Sequence, residues 1–310
     1  MAMVLLWGDF SQTLDAAILS DPNCRQIQDI ESFGKACATA IDAYKLLYVT
    51  EKCLKANSAF FKDFPTSFKN CEIRALYEES PPIDALLWLK EYPCVNHIGG
   101  FGSAELKSQI AATLSKTRIY WGEDLTSVAM GQPQALLLRR TDELKKAYAS
   151  VEAYITGLKV FHEFGSLVTT VVYELLSNAF YNARKDSKTA KPLVSDRTLE
   201  FSLGENEWVK LEYGQQDGYL WIRVEDSFGT LDRQTLVCAL ERAARERAPD
   251  FSNPGGAGLG LLMIYGWATE VNFSLRPGVS TRISCKLRLT TRMRLFDSEP
   301  SAINIYQIPG

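Results

Sequence analysis

Histidine is nearly absent from this chain, which has only His97 and His162, and its seven cysteines are widely spread with no Cys-x-x-Cys pair. That shortage argues against a zinc site and leaves reduced, mostly buried thiols as the default. No apolar run reaches the ~18 residues a membrane-spanning helix needs, and Met1 to Leu6 lacks the basic segment and cleavage site of a secretory signal. The net charge is only −3, with no broad basic field, so nucleic acid is not an expected partner. Long-period repeats and low-complexity tracts are missing as well. A soluble, cytoplasmic protein is the expectation.

What is present is enough apolar material for two cores, 46% of 310 residues. Strand-like runs alternate with helical ones from the start: Val4 to Trp7 then Leu14 to Leu19, and Cys24 to Ile30 then Phe33 to Ile41. The pattern goes on with Tyr44 to Thr50 and its helix, Glu72 to Tyr77 then Ile83 to Lys90, and Cys94 to Ile98 then Ala104 to Leu114. Such β-α units predict a parallel sheet with helices on both faces, a flavodoxin-like α/β domain over residues 1–118.

Residues 119–162 read as a helical linker, because Leu137, Leu144, Val151 and Leu158 recur every seven residues. The stripe fits a homodimer seam, and it equally fits a helix docked across the chain's own two domains. A second domain over residues 163–291 begins with a helix, Leu167 to Asn182, whose Val168, Val171, Val172, Leu175, Leu176 and Phe180 share a face. Strands follow at Leu199 to Leu203, Trp208 to Tyr213 and Tyr219 to Glu225, the last two joined by a Gln-Gln-Asp-Gly turn. A helix from Thr235 to Arg247 and the hairpin Val271 to Leu275 with Thr281 to Leu289 come next, and residues 292–310 form a tail without periodicity.

Between those last elements lies Gly255-Gly256-Ala257-Gly258-Leu259-Gly260-Leu261, opening a helix. Each glycine costs about 1 kcal/mol against alanine inside a helix, so bare backbone is required there. Glycine lets N–H groups approach a ligand, and the helix start adds unpaired donors and partial positive charge, which together cradle an anion such as phosphate. On the earlier helix, Glu174 and Asn178 are one turn apart, a carboxylate able to activate water or a hydroxyl beside an amide able to bind magnesium.

The order of these motifs, Glu-x-x-x-Asn-Ala on a helix, a strand ending in Asp226, a lid-length segment, Gly-x-Gly-Leu-Gly-Leu, then a strand with Gly-x-Ser-Thr, resembles the GHKL (Bergerat) ATPase family over about Phe164 to Thr290. That family contains the gyrase, Hsp90 and MutL ATPases, histidine-kinase catalytic domains and anti-sigma serine kinases. The resemblance implies a GHKL α/β sandwich binding ATP and Mg2+. It makes Glu174 the general base, Asn178 the magnesium ligand and Asp226 the acceptor of the adenine amino group. Gly256, Gly258 and Gly260, with Leu259 between them, would serve the triphosphate and lid hinge, and Thr281 the adenine pocket. The first glycine box departs from the family pattern: Phe228 and Thr230 stand where glycines are expected, on either side of the retained Gly229. Phe228 would then alter the adenine-side wall, its ring packing on the base or closing the floor of the pocket. Tyr181 stands where histidine kinases often have lysine.

The first domain resembles a response-regulator receiver in element order, with Gly8-Asp9, Thr50, Glu78-Glu79-Ser80 and Asn96-His97 at the places of its phosphorylation machinery. No aspartate stands at the acceptor place, so a pseudo-receiver that holds a protein partner is expected. His162 lies only twelve residues before Glu174, too close for the two-helix hairpin that carries a histidine-kinase acceptor. Two functions stay open: a GHKL ATPase or protein kinase in a bacterial two-component-like or anti-sigma-like pathway, and a catalytically inactive, nucleotide-dependent interaction module.

Overall fold

A computed structural model of the chain describes all residues except 1, 12–13, 39–43, 66–67, 69–70, 79–81, 101–105, 107–109, 111–132, 185–192, 195, 198, 247–258, 297–300 and 309–310. It divides into two compact units, Met1–Trp121 and Gly122–Gly310, and is mixed α/β in both.

In the first unit, β1 (Ala2–Trp7), β2 (Cys24–Ile27), β3 (Tyr44–Thr50), β4 (Cys71–Tyr77) and β5 (Val95–Gly100) lie in the order β2-β1-β3-β4-β5. Every neighbouring pair is parallel. Between them run α1 (Ala16–Leu19), α2 (Ile30–Ala38), α3 (Glu51–Ala56), α4 (Ser58–Lys62), α5 (Pro82–Ala85) and α6 (Trp88–Glu91). The central strand β1 is apolar on both faces because both are covered. Val4, Leu6, Leu46 and Tyr48 pack with Phe10, Leu14, Leu106 and Ile110, and Trp7 packs among the rings of Phe33, Phe60 and Phe61. Leu106 and Ile110 are the described part of the helix expected at Ala104 to Leu114; the rest lies outside the described residues.

Two expectations change here. The helix read over Ile83 to Lys90 is two short ones, since Ala85, Leu86, Trp88 and Leu89 are all buried and no single helix face can hold four of five consecutive residues. Asn96 and His97 do not stand at the end of the fifth strand, which runs on to Gly100; His97 is buried in it, 3.0 Å from the Glu72 carboxylate. Thr50 closes β3 as expected, and Asp9 follows β1, accepting from the N–H and hydroxyl of Ser11.

The second unit contains β6 (Gln134–Leu138), β7 (Val209–Gln216), β8 (Tyr219–Asp226), β9 (Glu270–Arg276), β10 (Ser280–Arg288) and β11 (Ala302–Gln307), in the order β11-β9-β10-β8-β7-β6. Its helices are α7 (Glu143–Thr156), α8 (Phe164–Ser177), α9 (Arg233–Glu246), α10 (Leu259–Trp267) and α11 (Met293–Phe296). All strand pairs are antiparallel except β11 with β9. Asp217 and Gly218, both at positive φ, turn β7 into β8 as the sequence predicts. Leu211, Val224, Ile283 and Phe273 align across four strands on one face, against which α8 lays its buried Val168, Val171, Val172 and Leu175. The opposite face is polar and partly paired laterally, with Arg223 on Glu212, Arg282 on Glu225, and Asn304 donating to Asn272.

The linker and tail read differently from the sequence. Leu137 lies on strand β6, 56% exposed, and Leu158 lies beyond α7, so the seven-residue stripe is not one helix. Leu144, Ala147, Val151 and Ile155 of α7 are buried within the chain, and Tyr148 meets Tyr173 of α8 at 6.0 Å between ring centroids. Two of the four stripe residues, Leu144 and Val151, are therefore taken up by α7 docking inside the second unit. Residues 199–203 form no strand, only an isolated bridge between Ser202 and Arg140. The tail, by contrast, supplies α11 and β11, whose Ile303 and Ile305 are buried. Ile305→Ala should cost about 2–4 kcal/mol in denaturant unfolding, as a fully buried isoleucine does; a change within a few tenths would mean the tail is no part of the core.

Candidate functional site

The apolar stripe of α8 faces the sheet, so residues at the flank of that stripe are presented sideways. Glu174 and Asn178 are half-buried there, one turn apart. Beyond Ser177 the helix widens into a π turn, Asn178–Asn182, closed by the Ala183 N–H donating to the Asn178 carbonyl at 2.9 Å. Single π turns of this kind are frequent at functional sites. Here the turn brings Asn182 beside Asn178, and the Asn182 Nδ2 donates to Asn178 Oδ1 at 2.7 Å.

These residues edge a cleft with about 690 Å³ of empty space, part of it open to solvent. Leu175, Ala179, Val224 and Ile283 form its apolar base; Leu231, Leu236, Ala239 and Leu261 form further walls; Asn178, Asn182, Asp226, Thr230, Thr235 and Thr281 supply its polar groups. Asp226 and Thr281 are register partners on β8 and β10, so the two side chains stand together in one wall. The Asp226 Oδ1 accepts from the N–H groups of Phe228 at 2.9 Å and Gly229 at 3.3 Å. Burial nevertheless pushes its carboxyl up to about 6, the backbone donors opposing that rise. The Thr281 hydroxyl is buried and has no hydrogen-bond partner among the described residues. An apolar slot ending in a carboxylate and an unpartnered hydroxyl can hold a flat heteroaromatic ring with an amino group.

Gly260, in the first turn of α10, explains its own lack of a side chain. A Cβ built there would fall on the Glu174 carboxylate, 2.7 Å from its Cδ, so any larger residue would make that side chain turn aside. Glu174 thus sits between the N-terminal turn of α10 and Asn178, beside the cleft rather than in its lining. Of the remaining glycine box, Gly256 and Gly258 lie outside the described residues, and Leu259 is the first residue of α10.

The first glycine box has a different physical basis from the one the resemblance implies. Gly229 has φ +59°, and a Cβ on it would meet backbone atoms of Gly278 and Val279 in the β9–β10 turn. It is required for packing the loop on that turn, not for contact with the cleft. Phe228 is not among the lining residues and contributes its N–H to Asp226. Thr230, where glycine was expected, donates its hydroxyl to the Ala183 carbonyl and so ties the loop after β8 to the π turn. Tyr181 points away from the cleft and donates to the Arg197 carbonyl at 3.1 Å.

Other sequence candidates stand apart. Arg242 is exposed and Arg245 is paired with Glu241; neither lines the cleft, and Arg247 lies outside the described residues. Arg184 pairs with Glu207. His162 is exposed in the turn before α8. Residues that sequence reasoning missed are Asn182 and the α9 positions Thr235, Leu236 and Ala239. Asn182 was legible as the third member of a four-residue spacing with Glu174 and Asn178, whereas nothing local marks which face of α9 meets the cleft. No helix among the described residues is long and apolar enough to cross a membrane.

No family model matches this chain, and no curated protein matches it either.

The buried Asp226 yields a signed prediction. Its raised value means the folded protein prefers the neutral acid, so the contribution of Asp226 to stability falls as pH rises from 3.8 through about 6 and is flat above. Asp226→Asn keeps an acceptor for Phe228 and Gly229 without the charge. In denaturant unfolding it should exceed the wild type at pH 8 by on the order of 1–3 kcal/mol, with the gap closing toward pH 4.

Proposed function

We propose that this chain binds ATP with magnesium in the cleft of its second unit and acts as a GHKL-type ATPase or protein kinase on a protein partner, in a bacterial two-component-like or anti-sigma-like pathway. The observation that carries this reading is convergence. Glu174, Asn178, Asp226, Gly260 and Thr281, each picked out by motif, come from four separate elements and gather around one cleft. The residues fit the nucleotide in kind: the orphaned Thr281 hydroxyl and Asp226 suit the adenine edge, and the N-terminal turn of α10 suits phosphate.

Among the described residues no group of three His, Cys, Asp or Glu side chains could hold a metal. Asn178 is the residue that would hold the magnesium of a bound nucleotide, through its side-chain oxygen, and the ion would neutralise phosphate charge there. Glu174 then serves as the base that takes the proton of the attacking water or hydroxyl as the new P–O bond forms and ADP leaves. The altered first glycine box does not weigh against binding, because Phe228 stays out of the cleft and Thr230 braces it.

The first unit supplies the partner surface in this reading. Its all-parallel order β2-β1-β3-β4-β5 is that of flavodoxin-like folds, the class of receivers, and Thr50 rather than an aspartate ends β3. That supports an interaction domain not switched by aspartate phosphorylation.

Glu174→Ala should lower ATP turnover by about 100-fold or more while saturable nucleotide binding persists. Incubation with radiolabelled ATP, following released phosphate and labelled protein, measures the first; titration measures the second. Binding with no turnover in the wild type would replace the enzyme by a nucleotide-dependent interaction module, and no binding would overturn the reading.

A further inference from the structure

The π turn does more than close the helix. Asn178 and Asn182 both line the cleft, and among the described residues the donor to Asn178 Oδ1 is the Asn182 amide at 2.7 Å. Ala183, the next residue, is held at both ends, its N–H by the Asn178 carbonyl and its carbonyl by the Thr230 hydroxyl. Tyr181 on the other side is held through the Arg197 carbonyl. Asn182 therefore projects from a segment fixed on either side of it.

A carboxamide on the edge of a cleft can present either its oxygen or its NH2, and only the oxygen can face a cation. The oxygen has two acceptor positions. We propose that Asn182 is a positioning residue for Asn178: by donating its N–H to one acceptor position of Oδ1, it fixes which end of the Asn178 amide is oxygen and leaves the other acceptor position for the magnesium of a bound nucleotide. Outer partners of this kind orient a ligand and raise its affinity without touching the metal. The inference rests on the nucleotide reading above and assigns a role in it to a residue outside the motif.

Two near-isosteric variants separate positioning from direct ligation. Asn182→Leu removes the donor and lets the Asn178 amide turn. Asn182→Asp replaces the donor by an acceptor, which draws the Asn178 NH2 toward it and turns the oxygen away; had Asn182 been a metal ligand itself, the carboxylate would strengthen binding. The measurement is ATP affinity of the full chain in excess MgCl2 and again in EDTA, with thermal unfolding as the check on folding. Both variants should weaken affinity in magnesium by about 10-fold or more and leave affinity in EDTA within about 2-fold, with Asn182→Asp at least as impaired as Asn182→Leu. Magnesium dependence equal to that of the wild type, or strengthened in Asn182→Asp, overturns the inference while the nucleotide reading stands. A wild type that binds no ATP overturns that reading, and this inference with it.

Discussion

The packing of α8 on the apolar face of the second sheet is the contact on which the site depends. Phe164, Val168, Val171, Val172, Leu175 and Leu176 are buried there, at most 1% exposed, and each such side chain contributes roughly 1.5–3 kcal/mol against exposure. A helix held that firmly cannot rotate. Its rotation decides that Glu174 meets α10 and Asn178 meets the cleft, while Leu175 and Ala179 supply the base of the cavity. The same stripe that makes the core thus sets the direction of the polar side chains beside it.

Asp226 works against that stability. A carboxylate at the end of a central strand loses water, and two backbone N–H groups recover only part of the loss, so its acidity is weakened. Proteins retain such a group where a ligand needs it, and a neutral replacement that stabilises the fold at the expense of binding is the usual trade. Gly229 belongs to the same arrangement. Its left-handed backbone brings the loop after β8 against the β9–β10 turn, delivers the two N–H donors, and sends Phe228 out of the cavity.

Thr230 shows how a departure from an expected motif can be structural. Its hydroxyl bonds the carbonyl of Ala183, coupling the strand end that holds Asp226 to the turn that holds Asn178 and Asn182. Elsewhere α7, with its buried Leu144, Val151 and Ile155, covers α8, so residues outside the expected domain contribute to its core.

Sequence by itself determined the elements whose signal is local. The β-α alternation of the first unit, the amphipathic stripe of α8, the Asp-Gly hairpin and the glycine-rich start of α10 follow from periodicity and backbone freedom, which act within a few residues. The motif spacing likewise singled out Glu174, Asn178, Asp226 and Thr281, which the fold brings around one cleft. Tertiary structure alone decided the rest. The heptad-like stripe broke at Leu137 because a place on the edge of a sheet outweighed its helical spacing. The tail became β11 because β9 offered it an open edge, which a six-residue alternation cannot announce. Gly260 lies against Glu174, and Gly229 is needed because of Gly278 and Val279, partners far off in the chain. A glycine's requirement lies in what approaches it, and that is a property of the packed molecule.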